Sequence, residues 1–477
     1  MSDDHAALDF EHDHFGKIEK IDPTAMRRLN ALRILDAVRR YGPISRASLA
    51  KRSRLSPPAV SALVDNLITK RGLLREVGQD VSTGGRRPTL VGFAADHGCV
   101  VGIDLGSTTV RYALADLSGR VLARVAEPTG DPSPGRVVGQ LSARIRTLLG
   151  GSTGRPPLCA IGIGAPGMTD VRRGVVIEAA NLRGWTDVAL KDMVTREFEV
   201  PVAVDNDVNM AALGEYWMGC AKGEPNFVFV ALGRGVGAGI VIDGRVHRGS
   251  QWYAGEISHL LLDYKQWQRN FGSQGYLEHH VGAAAIARSW RRESRAGRGA
   301  AAEIAALFAA ARQGNAVAAR RVTHLATILG VAVANVVTTL DPALVVFGGG
   351  IGQVGEQLLD PVRQVVGRIV PNQPVIRMTA LEGDAQLFGS VLSALRLANR
   401  ALCDAILGDD DRQQTSHALS VRSRSAPAPA AEPPVTPISC EVSDEPRWRP
   451  RRWHPDRRGS PAGETMPCSA SMTRPRG

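Results

Sequence analysis

Hydrophobic spacing divides the chain into stretches of different character. Between residues 25 and 95 apolar residues recur at helical intervals. "AMRRLNALRILDAVRRYG" sets Leu29, Leu32, Leu35 and Val38 on one stripe and leaves Arg27, Arg28, Arg33, Arg39 and Arg40 largely off it. Gly42 and Pro43 stop that helix. "SRASLAKRSR" predicts a short second helix with Ser45 as its N-cap. "LSPPAVSALVDNLITKRGLL" predicts a third, capped by Ser56, with Pro57 at the first helical position, where its missing N–H costs nothing. In the third helix Val60, Leu63, Leu67 and Ile68 face inward, and Ala59, Ser61, Ala62, Asp65 and Asn66 take the other faces. "LLREVGQDVSTGGRRPTLVGF" then alternates as two short strands around a basic loop.

From residue 97 to about 400, strand-like runs alternate with helical ones, the signature of an α/β fold. "CVVGIDLGSTTVRYALADLSGRVLARVAE" predicts a strand, a tight loop and two more strands. Two glycine clusters, "ALGRGVGAGIVIDG" (231–244) and "LVVFGGGIG" (344–352), also follow strand-like runs, as nucleotide-side loops of a two-lobed fold do. "HLATILGVAVANVVTTL" (324–340) is the longest apolar stretch. Its His, Asn and three Thr point to a buried helix of the core or of a dimer contact, not to a membrane span.

The two ends differ. Residues 1–24 are polar and read as a flexible N-terminus. From about 405 to 477, segments such as "SVRSRSAPAPAAEPPVTP" and "EPRWRPRRWHPDRRGSP" are rich in Pro, Arg and Ser without apolar periodicity. That composition buries too little surface to offset chain entropy, so a disordered tail is expected.

Composition narrows the class. At 477 residues, two or three domains are expected. A net charge of +11 favours an acidic partner. The six cysteines form no CxxC pair, which excludes a disulfide framework and suits a reducing cytoplasm; the acidic start has no signal-peptide core. A cytoplasmic protein with no membrane partner is expected.

Charge location matters more. From Arg27 to Arg87 fourteen Lys or Arg stand against four Asp or Glu. With the helix order above, this predicts a winged helix-turn-helix for residues 25–95, similar to those at the head of many bacterial repressors. The expected contacts to double-stranded DNA are Arg46, Ser56, Pro57, Ala59 and Ser61, with Arg86 and Arg87 of the wing reaching the minor groove.

"AVDNDVNMAALGEYW" (203–217) carries the other candidate chemistry. It delivers Asp205, Asn206 and Asp207 to the end of a strand, where they can hold or deprotonate a sugar hydroxyl. Asp104, Gly106 and Thr108 mark the first phosphate-type loop; Gly233, Gly235 and Gly349 mark the later ones.

"IGIGAPGMTD", "NLRGW", "VDNDVNMAALGE", "LGRGVGAGIVIDGRVHRG", "AGEISH" and "GYLE" occur in the order and spacing of the ROK family of repressors, open reading frames and sugar kinases, which the chain resembles over roughly 97–400. The resemblance implies a two-lobed, actin-like (RNase H-like) sugar-kinase-type domain. It also implies a sugar site of Asn206, Asp207, Glu256, His259 and Glu278.

Three departures accompany it. Where the family's kinases carry D-x-G-G-T-K, this chain has Asp104-Leu105-Gly106-Ser107-Thr108-Thr109. Where they carry G-T-G, it has Gly233-Arg234-Gly235. Where family members hold zinc through cysteines, it has Arg269, Phe271 and Tyr276, so no structural zinc and no cofactor are expected. Positioning dominates phosphoryl transfer, so both altered loops argue against catalysis.

The expected function is a sugar-responsive transcriptional regulator, a repressor bound to operator DNA as a homodimer or homotetramer and released by a sugar or sugar phosphate. The alternative is an ATP-dependent sugar kinase with Asp207 as base. A third reading is a repressor that answers a partner protein instead of a sugar.

Overall fold

The computed structural model describes residues 22–79, 88–150, 156–179, 182–291, 299–350 and 356–422. Asp22 caps α1 (Pro23–Tyr41), its carboxylate accepting the Thr24 N–H at 3.4 Å, and Gly42 ends the helix. A two-residue strand β1 (Ile44–Ser45) follows, which the periodicity does not announce. Ser45 then caps α2 (Arg46–Ser53) by accepting the Ser48 N–H at 3.2 Å. Next come α3 (Pro57–Thr69), β2 (Leu74–Gln79) and β3 (Thr89–Phe93), with β3 between β1 and β2 in an antiparallel sheet.

Two details of this segment differ from the sequence expectation. Ser56 has the extended backbone of an N-cap, but its side chain makes no capping bond, so the preset φ of Pro57 starts α3. In α1 the buried stripe is Ala31, Ile34, Leu35 and Val38, whereas Leu29 and Leu32 are only half-buried. Spacing alone does not reveal what a stripe meets; here the core of the segment takes in Ile406 from far down the chain.

The first lobe begins with β4 (Cys99–Leu105), β5 (Thr109–Asp116), β6 (Val121–Pro128), α4 (Pro134–Leu149) and β7 (Leu158–Ala165). A small sheet of β8 (Met168–Asp170), β9 (Val175–Glu178) and β10 (Thr186–Val188) is inserted before α5 (Leu190–Phe198) and β11 (Val202–Asn206). Helix α6 (Asp207–Met218) leads to the second lobe. There β12 (Phe227–Leu232), β13 (Val236–Ile242) and β14 (Arg245–His247) precede α7 (Gly275–Val281), α8 (Ala283–Trp290), α9 (Ala300–Arg312) and α10 (Ala316–Leu340). The remaining elements are β15 (Leu344–Gly348), α11 (Glu356–Ile369), β16 (Val375–Met378) and α12 (Ala385–Arg422).

The main sheets run β11-β7-β4-β5-β6 and β14-β13-β12-β15-β16. Numbered by first appearance within each sheet, the first read from its β6 edge and the second from its β14 edge, both run third, second, first, fourth, fifth. The chain therefore builds one topology twice, with loops at the strand ends of each half available to a shared cleft.

Helix α10 is long and apolar enough to cross a membrane by composition, but half of its most apolar stretch is buried within the protein. Leu325, Leu329, Val333 and Val337 sit in the second lobe's core, which is the core role the sequence favours. Helix α12 lies tightly on the first sheet. A Cβ on Gly162 would fall 2.1 Å from the Ser390 carbonyl oxygen, so only glycine permits the approach.

Helix α12 also continues through Arg422, well past residue 405, where the sequence reading begins a disordered tail. Leu402 and Ile406 pack into the core around α1 and α3, and burying such a side chain is worth about 1.5–3 kcal/mol. Residues 423–477 lie outside the described residues.

Candidate functional site

The end of β11 and the start of α6 form the floor of the cleft. Asn206 is the N-cap of α6: its side-chain oxygen accepts the N–H groups of Val208 (2.9 Å) and Asn209 (3.1 Å), and its amide donates to the Gly167 carbonyl at 3.0 Å. The residue is held rigidly from both sides. Asp207 follows as the first helical residue, accepting the Val208 N–H at 2.8 Å. Burial pushes its pKa up to about 7, with the charges of Asp104 and Glu256 acting the same way against the Val208 hydrogen bond.

Glu256 and Glu278 complete a group of three acids. Burial raises the pKa of Glu256, and burial with the charge of Glu256 raises that of Glu278. The Glu278 carboxylate stands beside the loop after β12, where a Cβ on Gly235 would fall 3.2 Å from its Oε2. His259 is exposed at the end of a short 3-10 turn that Glu256 begins, its ring centroid 5.9 Å from that of Tyr253. Mutually repelling carboxylates beside an oriented amide make a site rich in acceptors, suited to a neutral ligand with several hydroxyl donors.

Asp205, which the sequence brings to the strand end beside Asn206 and Asp207, is tied up within the protein and not turned to a ligand. It is 3% exposed, and Arg248 donates to its Oδ2 from Nε (2.9 Å) and Nη2 (2.6 Å). Its Oδ1 accepts the Asn206 N–H and the Asn209 amide. No local spacing links residues 205 and 248; they meet because β14 ends beside β11.

The glycine loops face each other across the cleft. Gly106 donates its N–H to Thr109 O at 3.1 Å, while Thr129 Oγ1 donates to Gly106 O at 2.6 Å. Asp104 is buried, which raises its pKa to about 6 against the pull of Arg111, 3.1 Å away. Thr108 at this loop is exposed. In the second lobe a Cβ on Gly233 would fall 3.4 Å from Gly350 N, and Gly349 has φ +92. The Arg234 guanidinium donates a hydrogen bond to the Ser107 hydroxyl, joining two of the residues that depart from the kinase pattern.

The family's zinc does not fit the residues that would replace its donors. The Phe271 and Tyr276 rings meet edge to face at 5.4 Å, the Arg269 guanidinium lies 4.9 Å from the Phe271 ring, and Tyr276 and His280 are 4.5 Å apart. Rings and a guanidinium offer no thiolate. Among the described residues no group of three His, Cys, Asp or Glu has a metal-binding arrangement.

In the N-terminal segment Ser56, Pro57 and Ala59 are exposed and Ser61 is half-buried. Arg46 is engaged: it pairs with Asp65 at 2.7 Å and Glu76 at 3.2 Å. Arg86 and Arg87 lie outside the described residues. Other arginines of this segment hold α12. Arg39 donates to Asn399 Oδ1 at 2.7 Å and lies 4.2 Å from the Phe93 ring; Arg71 donates to Ala405 O at 3.3 Å, and Arg28 to Leu407 O.

Residues 100–400 match the ROK family. A putative xylose repressor of Caldicellulosiruptor sp. (strain Rt8B.4) is 32% identical over 72% of this chain and 88% of its own length. A glucokinase of Halalkalibacterium halodurans is 35% identical over 55% of this chain and 84% of its own. Among solved structures, a ROK family transcriptional regulator described as a homolog of the E. coli MLC protein superposes with a TM-score of 0.65. It is 26% identical and covers 80% of this chain and 98% of that one.

Proposed function

This chain belongs to the ROK family, and from that premise we propose that it is a sugar-responsive transcriptional repressor and not a sugar kinase. Both the repressor and the glucokinase named above share the central fold, so the fold alone does not separate the two activities. The observation that carries the choice is the Arg234–Ser107 hydrogen bond. It runs a side chain from one glycine loop to the other, across the path that nucleotide phosphates would take on this reading.

The sugar residues keep their chemistry. Asp207, Glu256 and Glu278 accept from sugar hydroxyls, Asn206 holds the floor, and His259 donates or accepts at the edge. In a kinase Asp207 would take the hydroxyl proton; here it recognises the hydroxyl. D-xylose heads the list of effectors because the repressor relative is named for it. Phe271 and Tyr276 take the structural place of zinc, and the protein needs no cofactor.

The N-terminal helices and sheet have the order of a winged helix-turn-helix, in which α3 would enter the major groove; the sequence assigns Arg86 and Arg87, which lie outside the described residues, to the wing. Operator DNA is the partner, bound by a homodimer or homotetramer in the cytoplasm.

Helix α12 supplies the mechanical route between sugar and DNA. Just before it, Gly383 O accepts from Arg111, the partner of Asp104; further along, Asn399, Ala405 and Leu407 accept from arginines of the N-terminal segment. A ligand that closes the lobes shifts this strut, and its differential affinity for the two states sets the size of the response.

The test is fluorescence anisotropy on DNA upstream of the protein's own gene, with and without D-xylose, D-glucose and their phosphates, beside an ATP-consumption assay. Release of DNA by one sugar without ATP consumption supports the repressor. ATP consumption with a sugar, and DNA binding that no sugar changes, overturn it.

A further inference from the structure

We infer that Trp252 is a specificity-determining wall of the effector site, set in place by Arg172 from the opposite lobe. The inference rests on the reading above that the cleft takes a monosaccharide.

Residues 248–256 run from the end of β14 to Glu256, and both ends of this loop are fixed. At the first end, Arg248 is bound to buried Asp205, the residue before Asn206. At the other, Gly255 has φ +93, and a Cβ there would fall 1.9 Å from Ala238 O, so it fits against β13 only as glycine. The Ala254 N–H donates back to Arg248 O at 3.3 Å, which closes the loop on itself.

Within this closed loop Trp252 has φ +62. A bulky side chain rarely adopts left-handed backbone, and it stays there only where its surroundings determine it. The Arg172 guanidinium lies 5.8 Å from the Trp252 ring centroid, within the range of cation–π attraction. Arg172 is in the turn between β8 and β9. That hairpin begins at Gly167, whose carbonyl accepts the side-chain amide of Asn206.

The two partners therefore stand on supports that each start at an effector-site residue: Glu256 for Trp252, and Asn206 for Arg172. Their contact joins the two lobes. On this reading a ring engaged by Asp207 and Glu256 lies inside that contact. A second sugar unit has to push the indole aside and break the contact with Arg172. The strained backbone at Trp252 is thus kept for selection by size, in favour of free monosaccharides.

The test uses the full chain with Trp252→Ala, Trp252→Phe and Arg172→Ala, titrated calorimetrically with D-xylose, D-glucose and maltose. Operator binding without sugar reports that each variant is folded. Wild type is expected to bind a monosaccharide and reject maltose. Arg172→Ala should weaken the monosaccharide roughly threefold, the size of an exposed cation–π contact. Trp252→Ala should weaken it further and admit maltose, while Trp252→Phe keeps the selectivity. A Trp252→Ala protein with unchanged monosaccharide affinity that still rejects maltose overturns the wall. If wild type binds none of the three sugars while holding its operator, the effector reading fails first and the wall with it. Monosaccharide binding that Asp207→Asn abolishes and Trp252→Ala leaves untouched would sink the wall alone.

Discussion

Arg234, between the glycines of one loop, donates a hydrogen bond to Ser107 in the loop of the other lobe. Each residue departs from the loop pattern of the family's kinases; together they bridge the two loops. Replacing both, as Ser107→Gly with Arg234→Thr, should reopen the space. A fluorescent ATP analogue is expected to bind the double variant at least about tenfold more tightly than wild type. Equal weak binding by both proteins would show that the bridge does not block the nucleotide.

The raised pKa of Asp207, about 7, gives a pH signature. The folded state binds the proton more tightly than the unfolded chain does, so stability should fall as pH rises from roughly 4 to 7. A sugar hydroxyl donating to the carboxylate favours its ionised form, so effector affinity should rise across the same range. Asp207→Asn is expected to flatten much of the stability slope and weaken the sugar response while sparing operator binding. Thermal midpoints and sugar titrations at several pH values check both signs. A folded variant that lost DNA binding would remove Asp207 from the effector role.

Arg39 links α1 to α12. Burial lowers its pKa to about 10, and its Nε and Nη2 have no partner among the described residues. Asn399 is therefore a costly partner to lose: Asn399→Ala should destabilise by roughly 1–3 kcal/mol. If α12 carries the signal, DNA release should also require more sugar in this variant, with sugar affinity itself unchanged. Chemical denaturation and the anisotropy titration separate the two effects.

Arg86 and Arg87 are assigned to the wing from sequence alone. Replacing both with Ala should weaken operator binding and lower its salt dependence by about one unit per lost phosphate contact. An unchanged slope of log K against log salt would take the wing away from the DNA.

If the packing of Phe271 and Tyr276 replaces the zinc that the resemblance implies, a chelator leaves the thermal midpoint unchanged. Tyr276→Ala, which empties a buried position against Phe271 and His280, should cost roughly 2–4 kcal/mol. A midpoint that drops on chelation would reverse that assignment.

Much of this protein is decided by local order along the chain. The strands from Cys99 to Pro128, the cap at Ser45, the stop at Gly42 and the Asp205–Asp207 turn each follow from residues a few positions apart, whose periodicity and φ preferences act before any tertiary contact. The altered loops are legible too, since a side chain in place of glycine is a local fact. Contacts between distant residues are not. Arg234 meeting Ser107, Arg248 meeting Asp205, Trp252 meeting Arg172 and Ile406 entering the core of α1 and α3 all depend on how the lobes and α12 come together. The same meeting turns arginines off the apolar stripe of α1, and Arg71 after α3, into struts for α12, and carries that helix past residue 405. Hydrophobic pattern fixes which face of an element is buried; only the tertiary structure determines what that face, and the charges beside it, finally touch.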